Sequence, residues 1–417
     1  MKMSKRILIV GSGGREHAIA KALDQSPQVD RIYLAPGNPG VLANTQKTQL
    51  VAIDQEDFAA LLDLVDQEGI DWTIVGPEKV LEAGIVDAFR QAGQTIIGPS
   101  QAATQIESSK YFAKQVMAQA GVATSSYRLF NQDKRDEVEN YITSLPLPIV
   151  LKKDGLASGK GVYICQTYEE ALSKAQDLLD SLDQDLIVEE FLDGEEFSHF
   201  ALVYESHIIP LGLARDHKRA YDGGKGPNTG GMGAYSPVTD QDQALSQEIV
   251  DKIVQPVADQ MKDLGQPFTG VLFTGLMRVN DRFYVIEFNA RFGDPETQVL
   301  LPRLETDLVD LFQAHLNQTE VQVNYQPGCS LGVILASAGY PGQVDDGKDL
   351  NWAGEVDQAN LVYSGVAENQ GQLVTKGGRI LMVQAMDASL QASRQQVYDV
   401  LAKQDVEGSF YRKDIGL

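Results

Sequence analysis

Short apolar runs and longer segments of helical spacing take turns through the first hundred residues. Arg6–Val10 carries a continuous apolar run of strand length, and GSGGREH then opens a helix that lasts through Leu23. A second strand, Arg31–Ala35, ends at APGNPG, and a helix over Glu56–Glu68 stops at Gly69. Strand Ile70–Val75 ends at GPE, helix Val80–Ala92 stops at Gly93, and strand Thr95–Ile97 ends at GPS. This alternation predicts a parallel sheet with helices on both faces and ligands beyond the strand C-termini. Three of those ends combine glycine with a polar group: Gly13-Gly14-Arg15-Glu16, Gly37-Asn38 and Gly76-Pro77-Glu78.

The pattern then changes. A helix with a serine cap starts at Ser108, with Phe112, Ala113, Val116, Met117 and Ala120 as its buried stripe and Gly121 as its stop. Pro148–Lys152 and Lys160–Cys165 have the β-branched content of two strands, joined by a small-residue loop, Asp154–Gly159. Helix Thr167–Leu182 opens on a capping box, Thr167 with Glu170, and leads into the strand LIVEEFLDGEE. Asp216–Pro237 has six glycines and no periodicity, which predicts a long loop covering a site. VLFTGLMRV turns at Asn280-Asp281 into RFYVIEFNARFGDPE. Its alternation places Tyr284, Ile286 and Phe288 on the core face and Glu287 and Asn289 on the other. From about Gln326 the chain predicts a small α+β domain without a catalytic cluster.

Composition narrows the possibilities. The 417 residues suffice for about three domains, and 43% hydrophobic with 22% charged residues is the balance of a soluble globular chain. A formal charge of −23 disfavours nucleic acid and anionic membranes as partners. No stretch reaches membrane-spanning length, and the N-terminal apolar run stops after Val10, too soon for a signal peptide. The only cysteines, Cys165 and Cys329, suit neither a thiolate zinc site nor an evident pair, so a cytoplasmic setting is expected.

Several motifs carry candidate chemistry. Gly155, Gly159 and Gly161 permit close backbone approach to phosphates, with Lys160 as a mobile cation. The spacing is not that of a P-loop: three residues separate Gly155 from Gly159, and glycine follows Lys160. Because strand neighbours face opposite ways, only one of Lys152 and Lys153 can look at a ligand. A dinucleotide fingerprint from Gly11 would need glycine where Glu16 stands, and the second strand ends at Ala35 without a ribose-binding acid. A smaller phosphate held by Gly13 and Gly14 beside Arg15 fits better, although the glycines alone can make a tight turn. Lys110 in a first helical turn is unfavourable unless an anion lies nearby. Glu287 and Asn289, roughly 7 Å apart along a strand, can share a hard cation, with Arg291 extending that face.

Taken together, IVGSGGREHA, APGNPG, TIVGPE, KKDGLASGKGV, EEFLDGEEFS, GPNTGGMGAYSP, VIEFNARFGDPETQ, SLGVILASAGYP and FYRKDIG closely resemble the glycinamide ribonucleotide synthetases of the ATP-grasp superfamily, almost end to end. The resemblance implies a multidomain α/β and α+β protein. Residues 1–103 form a parallel α/β domain, 104–325 an ATP-grasp module of two antiparallel sheets with a mobile lid at 122–192, and 326–417 a small α+β domain. It also implies ligation of glycine to 5-phosphoribosylamine through glycyl phosphate, with ATP and Mg²⁺ or Mn²⁺; nothing in the sequence demands more than a monomer. On that likeness Lys110 and Lys152 bind phosphate with Gly159, Lys160 and Gly161 of the hairpin. Glu189, Glu190, Phe191 and Leu192 form the adenine hinge, Glu196 holds the ribose, and Glu287 and Asn289 hold the metal. Lys152 and Arg291 face the developing charge. Expected substrate contacts are Gly13, Gly14, Arg15, Glu16, Asn38, Pro77, Glu78, Asp216, Lys218, Arg219, Gly231 and Asp294. Two positions depart from the family pattern. Lys153 replaces a small residue, and Thr274-Gly275 stands where many ATP-grasp enzymes carry a further acid.

Overall fold

The computed structural model describes residues 4–156, 161–180, 185–350, 357, 360–404 and 406–417. Strands β1 (Lys5–Gly11), β2 (Val29–Pro36), β3 (Thr48–Leu50), β4 (Trp72–Val75) and β5 (Ile96–Ile97) form a parallel sheet in the order β3-β2-β1-β4-β5. The order reverses between β1 and β4, so a crevice opens beyond their C-terminal ends, as in other open α/β sheets. Leu8 and Val10 face one hydrophobic core and Ile7 and Ile9 another. Both cores also contain residues from the middle of the chain, so this sheet is built into the rest of the molecule.

Helix α1 (Gly14–Asp24) follows β1 directly, and α2 (Phe58–Glu68) ends at Gly69 in the left-handed conformation as expected. The single helix predicted over Val80–Ala92 is instead two, α3 (Glu78–Glu82) and α4 (Ile85–Gln91). Gly84 adopts φ +88 between them and turns the chain. The serine cap is Ser109, whose hydroxyl accepts from Phe112 N–H at the start of α6 (Lys110–Ala120). Ser108 closes a separate helix that periodicity did not reveal, α5 (Gln101–Ser108).

Four antiparallel strands, β6 (Tyr127–Phe130), β7 (Ile149–Lys153), β8 (Val162–Cys165) and β9 (Leu186–Glu190), pair in the order β6-β9-β7-β8. Helices α7 (Arg135–Ser144) and α8 (Tyr168–Asp180) cover one face around Phe130, Ile142, Leu151 and Ala175, a core separate from the other three. Thr167 accepts from Glu170 N–H, while the Glu170 carboxylate reaches back to Gln166 N–H. Gly159 and Lys160 lie outside the described residues.

A nine-stranded sheet crosses the rest of the molecule. It contains β10 (Glu195–Tyr204), β11 (His207–Asp216), β14 (Gly233–Ser236), β15 (Thr269–Val279), β16 (Arg282–Asn289), β17 (Cys329–Ser337), β18 (Leu361–Tyr363), β21 (Arg379–Asp387) and β22 (Ser409–Phe410). The segment expected as a long loop, Asp216–Pro237, is mostly strand. β12 (Arg219–Tyr221) and β13 (Lys225–Asn228) make a hairpin, and β14 joins β11 to β17. Gly233 permits that junction, because a Cβ there would stand 2.6 Å from Gly332 O. The short hairpin β19 (Val366–Asn369) and β20 (Gln372–Thr375) completes the strands, and a helix near the C-terminal end (Leu390–Leu401) packs on β17 and β21.

At the β15–β16 hairpin, Asn280 and Asp281 take φ +48 and +60, the conformation a tight two-residue turn demands. The predicted alternation fails further along. The register shifts opposite Gly275 and Leu276, which pair with Glu287 and Val285, leaving Ile286 as an extra residue. This bulge moves the phase by one. Val285 and Phe288 enter the core, whereas Tyr284 stays half-buried and Ile286 lines a cleft beside Glu287.

Candidate active site

The cleft, about 510 Å³, lies where the β1 and β4 ends, the α5–α6 junction, the four-stranded sheet and the end of β16 converge. Ser12, Gly13, Arg15, Glu16, Pro77 and Glu78 form its first wall. Glu16 is buried and accepts from Gly13 N–H at 2.6 Å and Arg15 Nε at 2.7 Å. It fills the space that Gly76 leaves, where a Cβ would stand 1.7 Å from Glu16 Oε1. The residue that spoils a dinucleotide fingerprint is thus a clamp between two strand ends. Arg15 also donates to Phe292 O at 3.1 Å. Burial opposes its charge, but Glu16, Asp294 and Glu78 more than compensate, and it stays a cation.

The second wall is cationic. Lys110 donates to Gly155 O at 2.8 Å, and burial lowers its proton affinity against the pull of Glu287. One turn on, Lys114 is 2% exposed and donates to Thr124 Oγ1 at 2.7 Å and Ser125 Oγ at 2.9 Å. Glu189 lies between Lys114 at 3.2 Å and Lys152 at 3.0 Å, all three nearly inaccessible. Burial raises the Glu189 carboxyl, but Lys152 and Lys114 pull it below the usual range. Burial brings Lys114 down to about 8 despite Glu189. Lys152 therefore sits just behind the cleft surface, also 3.4 Å from Ile286 O, and Lys153 is half-buried on the opposite face.

Glu287 and Asn289 both line the cleft. Among the described residues neither side chain has a hydrogen bond or ion pair, so one carboxylate and one amide oxygen are available together. That oxygen set, completed by phosphate and water, fits a hard divalent cation; no group of three or more His, Cys, Asp or Glu does so among the described residues. Arg291 pairs with Glu107 at 3.0 Å and Glu78 at 3.6 Å. Glu107 also accepts from Ala290 N–H at 2.6 Å, and burial raises its carboxyl.

The third wall brings Asp216, Lys218, Asp294, Glu296 and Arg379 together. Lys218 is ion-paired to Asp216 at 3.2 Å and to Glu196. Asp294 binds Gln298 Nε2 at 2.7 Å and Arg379 Nη1 at 3.3 Å. Arg379 is a contribution from the C-terminal region, where the sequence suggested no chemistry.

Not every expected residue reaches this surface. Asn38 is buried, with its amide nitrogen on Ser12 O and Tyr363 O. Arg219 donates to Gly226 O within its own hairpin. Gly14 and Gly231 lie behind the wall, packed so that a Cβ would meet Ser364 and Pro295 respectively. Glu190 clips to Ser126 N–H, and the Glu189 side chain is committed to the two lysines. Lys114, Glu107, Glu296 and Arg379 went unnoticed in the sequence. Helical spacing from Lys110 signals Lys114, since residues four apart share a face; Glu107 and Arg379 carry no such signal. His17, His199, His217 and His315 are each held neutral by burial, His17 bridging Asn44 and Tyr363.

Three family models match in sequence: the phosphoribosylglycinamide synthetase N domain over residues 5–107, its ATP-grasp (A) domain over 108–297 and its C domain over 330–417. The chain is 43% identical over 419 residues to a phosphoribosylamine–glycine ligase of Halalkalibacterium halodurans, covering 98% of this chain and 96% of the relative. It is 42% identical over 414 residues to one of Lactococcus lactis, covering 99% of each. A crystal structure of a phosphoribosylamine–glycine ligase from Thermotoga maritima matches with TM-score 0.84 and 29% identity, covering 98% of this chain and 100% of that one.

Proposed function

The chain belongs to the phosphoribosylglycinamide synthetase family, and on that premise we propose how its cleft ligates glycine to 5-phosphoribosylamine while ATP becomes ADP and phosphate. A glycine carboxylate oxygen attacks the γ-phosphorus and ADP departs, leaving glycyl phosphate. The amine nitrogen of phosphoribosylamine then attacks the acyl carbon, phosphate leaves, and glycinamide ribonucleotide forms. No side-chain nucleophile is needed, so the protein's task is positioning and charge neutralisation.

The observation that carries this reading is the convergence of Lys110, Lys114, Arg291 and Lys218 on the cleft that also receives Gly13 and Arg15. Lys110 and Lys152, with Gly161, bind the phosphates in this scheme. The chain from Glu189 to Leu192 borders the adenine, and Glu196 takes the ribose hydroxyls. Glu287 and Asn289 would hold Mg²⁺ or Mn²⁺, which when bound neutralises the transferring phosphoryl group. Arg291, fixed by Glu107 and Glu78, faces the glycine carboxylate and the charge that develops there. Gly13, Arg15, Pro77 and Glu78 face the phosphoribosylamine, with Asp294 and Asp216 toward the two amines. The unpaired cysteines Cys165 and Cys329 suit a cytoplasmic enzyme.

The four-stranded sheet with its own core is a lid that closes over ATP and keeps water from the acyl phosphate. Incubation with ATP, glycine and phosphoribosylamine, each omitted in turn, tests the assignment. Glycinamide ribonucleotide must form only from the complete mixture; ADP release of equal size without glycine would overturn it.

A further inference from the structure

Of the carboxylates around the cleft, nearly all are spoken for. Glu16 accepts from Gly13 and Arg15, Glu107 from Arg291 and Ala290, Glu189 from two lysines and Ser125, and Asp294 from Gln298 and Arg379. Two are not, Glu287 and Glu296, and Glu287 is assigned to the metal together with Asn289. Glu296 is 4% exposed and lines the cleft. Yet among the described residues no other side chain hydrogen-bonds to it or pairs with it; only its own backbone N–H faces it. Its carboxylate lies over Gly293, where a Cβ would stand 2.4 Å from Oε2, so the chain reserves space for it. Burying a carboxyl without a side-chain partner is unfavourable for folding, and such a group in a cleft is a functional candidate.

The reaction proposed above needs a group of this kind. When the amine nitrogen bonds to the acyl carbon it acquires positive charge, and a proton must leave. No histidine lines the cleft among the described residues, neighbouring carboxylates hold Arg15, Lys218 and Arg379 as cations, and Lys114 is engaged by Glu189. We propose that Glu296 is the proton acceptor for the second half-reaction. The N–C bond forms, the C–O bond to phosphate breaks with its electron pair leaving on phosphate, and the nitrogen's proton passes to the Glu296 carboxylate.

Burial, and after it the charge of Asp216, raises the Glu296 carboxyl to about 8, against Lys218 and Arg291; Arg379 faces it as well. The base form therefore accumulates as pH rises through this region, where a general base is most effective.

The inference rests on the ligase reading, and the two can fail separately. The test follows two products of the full-length enzyme supplied with ATP, glycine and either hydroxylamine or phosphoribosylamine. One is glycine hydroxamate, formed when hydroxylamine traps glycyl phosphate and sheds its proton to water; the other is glycinamide ribonucleotide. For Glu296→Gln we expect a drop of about 10²–10⁴-fold in ribonucleotide formation. Hydroxamate formation should stay near wild type, and the rise of the amine step through about pH 8 should vanish. Glu296→Asp, which keeps a titrating carboxyl, should retain that rise at a lower rate. Equal loss of both products in Glu296→Gln, an unchanged pH limb in that variant, or loss of the limb in Glu296→Asp would each overturn the role. Absence of glycine-dependent hydroxamate from the wild-type enzyme would instead overturn the ligase reading beneath it.

Discussion

Replacing Glu189 with glutamine keeps the shape and a hydrogen bond to Ser125 but removes the charge that two buried ammonium groups share, at 3.0 and 3.2 Å. Breaking a buried ion pair costs about 3–5 kcal/mol, because the remaining charge has lost both water and partner. Lys114, already lowered to about 8, can shed its proton at modest cost, so the lower end, about 3 kcal/mol, is expected. The loss should fall on the four-stranded sheet, since Glu189 is in β9, Lys152 in β7, and Ser125 leads into β6. Native-state hydrogen exchange of β7 and β9 amides is therefore a better assay than one melting temperature for a multidomain chain. At pH 7 protection should drop by about 10²-fold, at 1.4 kcal/mol per decade. The sign of the pH dependence follows. Without Glu189 the folded-state affinity of Lys114 for protons falls further below its unfolded value, so the unfolded chain binds more protons and the deficit shrinks as pH rises. Lys153→Met, on the other face of the same strand, should change protection by less than about threefold. A Glu189→Gln protein with protection within a factor of two of wild type at pH 7, or with a deficit that grows toward pH 9, would refute this reasoning.

Other consequences are as direct. Gly76→Ala puts a Cβ into the Glu16 carboxylate, so the clamp on Gly13 and Arg15 must open; a loss of about 1–3 kcal/mol in denaturant titration is expected, with a raised KM for phosphoribosylamine. Glu107→Gln frees Arg291 from its closest carboxylate partner; kcat should fall by about tenfold or more with a smaller change in the KM for ATP, and an unchanged kcat would remove Glu107 as a positioning residue. Glu287→Ala combined with Asn289→Ala should weaken Mn²⁺ binding, read by electron paramagnetic resonance in the presence of ATP, by at least about tenfold. Retention of wild-type Mn²⁺ affinity would move the metal elsewhere.

Apolar runs and turn chemistry sufficed for four strands of the parallel first sheet, because strands buried on both faces read as continuous apolar runs, whereas the short edge strand β3 (Thr48–Leu50) carries no such run. The Asn280-Asp281 turn and the stop at Gly69 belong to the same class of information. The residues that build the cleft surface were legible only in part. Glu287 and Asn289 stood out as polar positions in an apolar strand, but the bulge at Ile286 that sets their neighbours depends on pairing with β15 and leaves no mark in β16 itself. Asp216–Pro237 lacked periodicity because its strands are three or four residues long, and β14 acquires its place from β11 and β17, distant in sequence. Charge partners were least legible of all. Glu107 meets Arg291 across 184 positions, Glu189 meets Lys114 across 75, and Arg379 meets Asp294 across 85. Sequence determines which side chains carry charge and which stretches fold; which charges are shared, and which carboxylates are left without a partner, is decided only when the chain closes and water is excluded between them.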